Sequence, residues 1–311
     1  MFVTEIIKMI LPVLTAISIG YLCKKKHLFG SDGLSALKAI IGNITLPLVL
    51  FNAFFTAKYN LRVLLVFVVI FCACGIALAT GYIVRPLVKP YHTFTPFLLT
   101  CFEAGMLGYA LYSVLVGAEN VSTFAMIDIG QTMFAYTIYL AMLQLTDGKK
   151  PTAKDLIANM LKKPAADGML LGVLLGSLGI GKWVLASPIS SIYTQFISFI
   201  TAPTACIILI VVGYELSLKK KLLRPVFITV GLRLALCTVL LTLVSALLFT
   251  IIPFDKNIMI ALMIMFSLPA PFVIPLFADV KEDGEYISTS LSMSTLCTIV
   301  LFMAIAVYSL M

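Results

Sequence analysis

Ten apolar runs, each close to the length that crosses a bilayer, follow one another with only short polar connections. A membrane-spanning helix needs about 20 mainly apolar residues. The runs predict ten transmembrane segments, numbered 1 to 10: 3–23, 34–56, 61–84, 94–117, 121–145, 165–181, 188–216, 223–251, 257–278 and 286–309. Charged residues make up only 12% of the chain, against about 25% in soluble domains. The sequence therefore predicts an all-α integral membrane protein.

The lysines and arginines are divided unequally between the two sides of the predicted helices. Sixteen of the 22 lie in the connections that follow segments 1, 3, 5, 7 and 9, or close to that side, and four lie in the opposite connections. Cytoplasmic loops are enriched in lysine and arginine, so both termini are predicted to face outside. The first run carries Glu5 and Lys8 and has no basic stretch before it. It is interpreted as a retained span instead of a cleaved signal peptide.

A four-residue phrase occurs twice, half a chain apart. It is ITLP at 44–47 in segment 2 and ITAP at 200–203 in segment 7, an offset of 156 residues in a chain of 311. A proline within a helix removes a backbone hydrogen bond, so the repeated proline indicates a repeated local break. Because each half contains five spans, the second half must cross the membrane in the opposite orientation. The chain is therefore predicted to be a 5+5 inverted repeat of residues 1–150 and 151–311.

The corresponding segments 4 and 9 are both interrupted near their middle. Residues 103–108 of segment 4 include glycines at 105 and 108, and residues 267–275 of segment 9 include prolines at 269, 271 and 275. Paired interruptions in matching segments are the best sequence indicator of a transport site. Half-helix N-termini that meet there would attract an anion. The alternative interpretation is that these residues only kink packed helices.

Three ionisable residues are predicted to lie at membrane depth, where each costs about 2.5–3.5 kcal/mol on insertion scales. Glu103 lies in the interruption of segment 4 and can carry a proton, bind a cation or pair with Arg233. Asp128 lies in segment 5, close to Gln131. Arg233 lies in segment 8 and can bind either a substrate carboxylate with two hydrogen bonds or a structural carboxylate in a buried ion pair. Both interpretations of Arg233 stay open at this point.

Several stretches recur in a specific order and spacing: residues 43–47, the glycine-rich segment 4, residues 128–131, Pro203 with residues 213–216, and residues 267–270. Together they resemble the auxin efflux carrier family, which includes plant auxin exporters and bacterial permeases for malate or malonate. The resemblance extends over nearly the whole length. It implies ten helices, with segments 4 and 9 crossed at their breaks. It also implies a scaffold of segments 1, 2, 6 and 7 that often dimerises, and an elevator-like moving domain of segments 3, 4, 5, 8, 9 and 10.

The predicted substrate site lies at the crossing of segments 4 and 9, beside segment 2. The residues expected to contribute are Asn43, Thr45, Pro47, Glu103, Gly105, Gly108, Asp128, Gln131, Arg233, Ser267, Pro269 and Pro271. The family often has asparagine where Glu103 stands and proline where Ala110 stands, so the break in segment 4 is expected to rely on its glycines. An acid at the crossing favours coupling to a proton or another cation, H⁺ or Na⁺, over simple anion uniport.

The predicted function is transport of a small organic anion, a mono- or dicarboxylate, across a bacterial inner membrane by elevator-type alternating access. One alternative is a sodium-coupled symporter of the bile acid type, and another is a membrane receptor or sensor. We find no phosphate loop, metal-ligand cluster or nucleophile–base pair in the sequence, so no cofactor, enzymatic activity or nucleic-acid partner is expected. The expected partners are the substrate, the lipid bilayer and a second copy bound through the scaffold.

Overall fold

The computed structural model describes residues 2–57, 61–146, 163–272 and 283–311, together with isolated positions at 152, 154, 155, 158, 161 and 274. All regular structure in this part of the chain is helical. The α-helices, numbered in chain order, are α1 Phe2–Lys25, α2 Ser31–Ile40, α3 Leu46–Phe55, α4 Leu61–Val84, α5 Thr95–Leu99, α6 Tyr109–Val116, α7 Val121–Phe134, α8 Leu140–Leu145, α9 Pro164–Ser177, α10 Ile180–Ala186, α11 Ser190–Thr201, α12 Thr204–Glu215, α13 Leu223–Ile251, α14 Lys256–Ser267 and α15 Gly284–Leu310. Single π-helical turns at Ile41–Thr45 and Ala135–Tyr139 join α2 to α3 and α7 to α8, and a third at Ala104–Gly108 precedes α6.

Eight helical stretches in the described part of the chain are long and apolar enough to cross a membrane. The helices α9 and α10 add a ninth if they are counted as one span. Helix α14 has 12 residues, too few to cross a bilayer alone. Of the rest of segment 9, residues 268–272 and 274 are described, and Pro275 lies outside the described residues. The protein is thus an all-helical, multi-pass membrane protein, and the count of ten spans stays a prediction.

Segment 6 is not the single straight span that the sequence predicts at 165–181. Helices α9 and α10 are bent by 76° across a short break, where Gly179 has a φ of +79°. A residue in this left-handed conformation ends an α-helix, and glycine adopts it without steric cost. The amide of Gly179 donates to the carbonyl oxygen of Gly176 at 3.0 Å, which closes the last turn of α9.

The two copies of the repeated phrase have different local structures. Pro47 lies in the first turn of α3, directly after the π turn Ile41–Thr45. The proline ring cannot donate a hydrogen bond and clashes with the carbonyl four residues earlier, and a π turn widens the helix at this place. At the second copy, α11 ends at Thr201 and α12 begins at Thr204. The helix is therefore widened beside Pro47, whereas Pro203 lies between two separate helices.

Internal contacts divide the chain into two units. Unit 1 contains Met1–Val63, Gly105–Met126 and Ala158–Glu215, and unit 2 contains Leu64–Ala104, Ile127–Ile157 and Leu216–Met311. Segments 1, 2, 6 and 7 fall in unit 1, and segments 3, 8, 9 and 10 fall in unit 2. Segments 4 and 5 are divided between the units, although the expected moving domain includes both of them whole. Each unit also contains residues from both halves of the sequence.

Unit 1 is held together by two close helix pairs, α3 with α9 and α1 with α12. A Cβ atom on Gly168 would lie 2.2 Å from the carbonyl oxygen of Pro47, and one on Gly213 would lie 2.0 Å from that of Ile17. No side chain fits at these distances, so the glycines are what allow the helix backbones to approach. The glycine face of segment 6 therefore packs against segment 2 of the same chain.

Unit 2 is built on the long helices α13 and α15, and the short helices α5 and α14 pack against both. On α15, the ring of Tyr286 is fully buried and stacks on Tyr91 with ring centroids 4.6 Å apart. The last residues of α5 and α14, Leu99 and Ser267, are buried too. The last carbonyls of a helix have no partner within it. Two helices that end inside a membrane protein core must therefore find partners for these groups elsewhere.

Candidate functional site at two interrupted helices

The interruption of segment 4 lies at residues 100–103, immediately after α5. Cys101 has a φ of +55°, a left-handed conformation that costs a residue other than glycine roughly 1–2 kcal/mol. The sequence predicts the break at Gly105 and Gly108. The structure corrects this, because both glycines lie in the π turn Ala104–Gly108 that leads into α6. The chain thus turns at a strained cysteine, and its neighbours must hold that conformation.

The interruption of segment 9 begins where α14 ends, at Ser267. Leu268 is extended, with a ψ of 153°, because a proline disfavours the helical conformation of the residue before it. Neither Pro269 nor Pro271 has an N–H group with which a helix could continue. These two prolines therefore produce the interruption that the sequence predicts.

The two interruptions are hydrogen-bonded to each other inside unit 2. The amide of Glu103 donates to the carbonyl oxygen of Pro269 at 2.9 Å. In return, the amide of Phe272 donates to the carboxylate Oε2 of Glu103 at 2.6 Å. Glu103 is only 8% exposed. A buried acid thus stands at the meeting point of the two breaks.

Arg233 binds the ends of both short helices at once. From α13, its Nη1 donates to the carbonyl oxygen of Leu98 at 2.8 Å, and its Nη2 donates to that of Cys101 at 2.7 Å. Its Nε and Nη2 both donate to the carbonyl oxygen of Leu268, at 3.2 and 2.9 Å. The bond to Cys101 helps to hold the strained turn, and the cation compensates the negative ends of two helix dipoles. Neither open interpretation of Arg233 anticipated backbone carbonyls as its partners.

Other carbonyls near these two helix ends accept hydrogen bonds from hydroxyl groups. The bonds are Thr100 Oγ1 to Pro96 at 2.8 Å, Tyr139 OH to Phe97 at 3.2 Å, Ser267 Oγ to Ile264 at 2.8 Å and Thr298 Oγ1 to Ser267 at 2.5 Å. An unpaired buried carbonyl costs several kcal/mol in an apolar medium. These hydroxyls therefore lower the free-energy cost of the two breaks. The sequence analysis missed Tyr139 and Thr298, since a hydroxyl in an apolar run is too common a signal to single them out.

Asp128 and Gln131 connect segment 5 to the break in segment 4. The Oε1 of Gln131 accepts a hydrogen bond from the amide of Phe102 at 3.3 Å, and its Nε2 donates to Asp128 Oδ1 at 2.7 Å. The hydroxyl of Thr132 donates to the same carboxylate oxygen at 3.1 Å. Unit 2 therefore gathers seven of the predicted site residues around the two breaks. They are Glu103, Asp128, Gln131, Arg233, Ser267, Pro269 and Pro271.

The amino-terminal half of the chain matches a known protein family. Residues 5–155 match the family model described as membrane transport protein. The matched stretch covers nearly all of segments 1 to 5 and includes Glu103 and Asp128. Over residues 5–155 the chain belongs to the auxin efflux carrier family of transporters. It is not an enzyme, as the sequence analysis predicted. A search of curated proteins finds no match to the chain.

The transporter has its other five predicted site residues in unit 1. Asn43 is exposed on the π turn of segment 2, and Pro47 is partly exposed. Thr45 is 3% exposed, and its hydroxyl has no hydrogen-bond partner among the described residues. Gly105 and Gly108 lie on the π turn before α6. A role for these residues in substrate binding stays a prediction.

Unit 1 of the transporter also contains a cavity of about 640 Å³ between α3, α6, α11 and α12. Within it, the hydroxyl of Tyr193 donates to Asn52 Oδ1 at 2.8 Å. The described residues that line the cavity include one acid, Glu119, and no lysine or arginine. A buried charge needs a compensating partner, so this cavity suits a carboxylate less well than the surroundings of Arg233 do.

Proposed function

We propose that this transporter moves a small organic anion, a mono- or dicarboxylate, and that the anion binds at the two interruptions in unit 2. The observation that carries the proposal is the reciprocal pair of hydrogen bonds by which Glu103 joins the two breaks. At this point the peptide N–H of Phe272 already binds a carboxylate oxygen. A peptide N–H that donates to the carboxylate of Glu103 can also donate to the carboxylate of a substrate.

Arg233 supports the choice of an anion. Arg233 carries a guanidinium cation and is only 3% exposed, so its field is little screened by water. The hydrogen bonds described above for Arg233 go to backbone carbonyls, and therefore it favours an anion through its charge without having to touch it. The role we propose for Arg233 is thus to position both breaks and to make their surroundings positive.

The proposal includes an elevator-type movement in which unit 2 carries the site. Such a movement requires the site to lie on one rigid body. Within unit 2, Arg233 joins segment 8 to segments 4 and 9, Gln131 joins segment 5 to segment 4, and Thr298 joins segment 10 to segment 9. These side-chain bonds support a rigid carrier. An acid at the breaks favours a proton over sodium as the coupling ion.

The proposal also includes ten spans arranged as a 5+5 inverted repeat. If segments 1 and 2 correspond to segments 6 and 7, the close pair of segments 2 and 6 corresponds to the close pair of segments 7 and 1. Both pairs use a glycine against a backbone carbonyl, which supports the correspondence. The distribution of lysine and arginine favours termini that face outside a bacterial inner membrane. We include a homodimer through unit 1, whose exposed apolar side chains include Trp183 and Phe199.

Uptake into proteoliposomes tests the proposed function. Vesicles that contain the purified transporter should accumulate at least one of labelled acetate, malonate, malate and indole-3-acetate faster than vesicles without protein. An imposed pH gradient should change the rate. Movement of sodium with no carboxylate would contradict the proposal. Carboxylate uptake that requires sodium would favour the bile-acid-type symporter, and carboxylate binding without flux would favour a receptor.

A further inference from the structure

We infer that the carboxylate of Glu103 is a built-in competitor of the substrate. It occupies the backbone N–H of Phe272 when no substrate is bound, and an anionic substrate takes that place only when Glu103 accepts a proton. The inference rests on the proposed function and adds a coupling step to it. It concerns one hydrogen-bond donor, the peptide N–H of Phe272, which Glu103 and the substrate would use in turn.

The geometry at this donor favours a single occupant. Oε2 of Glu103 lies 2.6 Å from the amide nitrogen of Phe272, within hydrogen-bond distance of this donor. The preceding residue, Pro271, has no N–H group to offer in its place. The amide of Glu103 is itself bonded to Pro269, which fixes the backbone of the acid beside the donor. A second carboxylate can reach the Phe272 N–H only if the side chain of Glu103 leaves it.

The charges around Glu103 require a proton for this exchange. Glu103 acts electrostatically on Tyr136 and Tyr139 of segment 5. Asp128 acts on the same Tyr136, and Arg233 and Cys101 act on the same Tyr139. If Glu103 and Asp128 are both ionised, a bound substrate would place a third carboxylate near one guanidinium. Like charges that share a buried site disfavour ionisation of one member. Protonation of Glu103 removes one negative charge as the substrate brings another.

The proposed exchange conserves the hydrogen bonds at the break. A proton from water adds to the Glu103 carboxylate, and its bond to the Phe272 N–H breaks. The N–H then donates to an oxygen of the substrate. The neutral carboxyl group has become a donor, so it can donate its proton in a hydrogen bond to the same substrate. One proton therefore accompanies each anion that binds.

Calorimetric titration of the purified full-length transporter tests this inference. The probe is a carboxylate that the wild-type protein transports, titrated between pH 5 and pH 8 in buffers of different ionisation enthalpy. We expect uptake of about one proton per carboxylate bound. The affinity should fall about tenfold for each pH unit above the pKa of Glu103. In Glu103→Gln, the amide oxygen can still accept from Phe272, but proton uptake should be lost and the affinity should not change with pH.

Two further variants complete this test. Glu103→Asp keeps a titratable group at the break and should keep the proton uptake. Glu119→Gln removes the acid of the unit 1 cavity and should behave as the wild type does. Wild-type binding without proton uptake, or uptake that persists in Glu103→Gln, would overturn the inference and leave the proposed function standing. If the wild type binds and moves no carboxylate at any pH, both fail.

Discussion

The two units of the transporter handle charge in opposite ways. In unit 1, the ion pair between Lys38 and Glu215 is partly exposed, at 41% and 33% of the side-chain surfaces. In unit 2, Glu103, Asp128 and Arg233 are all less than a tenth exposed. The difference follows the backbone. In unit 1, glycines bring helices close together and the helix breaks at Gly179 and Pro203 are partly or fully exposed, whereas in unit 2 two helices stop inside the core.

This comparison shows why broken helices and buried charges occur together. A continuous helix satisfies its own peptide groups, so its neighbours need only fit closely. A helix that ends in the core leaves carbonyls that only polar side chains can satisfy. Arg233 meets that need for both α5 and α14. Unit 2 thus has the costly features that a transport site requires, while unit 1 is packed mainly for shape.

We call the hydrogen bonds from Arg233 to the carbonyl oxygens of Leu98, Cys101 and Leu268 the carbonyl clamp. The largest effect is expected when this clamp is removed. Arg233→Ala should lower the free energy of unfolding by at least about 3 kcal/mol, because hydrogen bonds to a charged group contribute roughly 1.5–3 kcal/mol each. Denaturation of the purified protein in detergent measures this. Arg224→Ala on the same helix is the control, since Arg224 is exposed and should change stability by no more than about 0.5 kcal/mol. Equal stability of the two variants would show that the clamp is not needed.

A smaller effect is expected when the close packing of unit 1 is disturbed. Gly168→Ala places a methyl group 2.2 Å from the Pro47 carbonyl oxygen, so α3 and α9 must separate, at a cost of about 1–3 kcal/mol. Gly231→Ala is the matched control, because its added Cβ meets nothing within 4 Å. The control should be neutral or up to about 1 kcal/mol more stable. If both variants unfold alike, the glycine contact is not what holds the pair together.

The smallest effect is expected at the ion pair of unit 1. Lys38→Ala should lower the free energy of unfolding by less than about 1 kcal/mol, since partly exposed ion pairs contribute little. The loss should shrink further in high salt. Unfolding curves of the wild type and the variant at two salt concentrations measure both quantities. A loss as large as that of Arg233→Ala would remove the contrast between the units.

The sequence predicts the interruption of segment 9 better than that of segment 4. Pro269 and Pro271 act on their own neighbours, so a local pattern is enough to place that break. The turn at Cys101 depends on Arg233, which is 132 residues away in the chain, and no local pattern reports such a bond. For the same reason the sequence identifies Arg233 as a buried charge but not its acceptors. The grouping of residues 105–126 with unit 1 likewise arises from packing between distant segments.

Amide hydrogen exchange tests most directly whether the substrate binds at the breaks of unit 2. The measurement compares the transporter with and without a saturating concentration of a carboxylate that it transports. The account predicts slower exchange in peptides that cover residues 100–103 and 268–272, and unchanged exchange in peptides from 190–208 that line the unit 1 cavity. Protection of the cavity peptides with no change at the two breaks would contradict it.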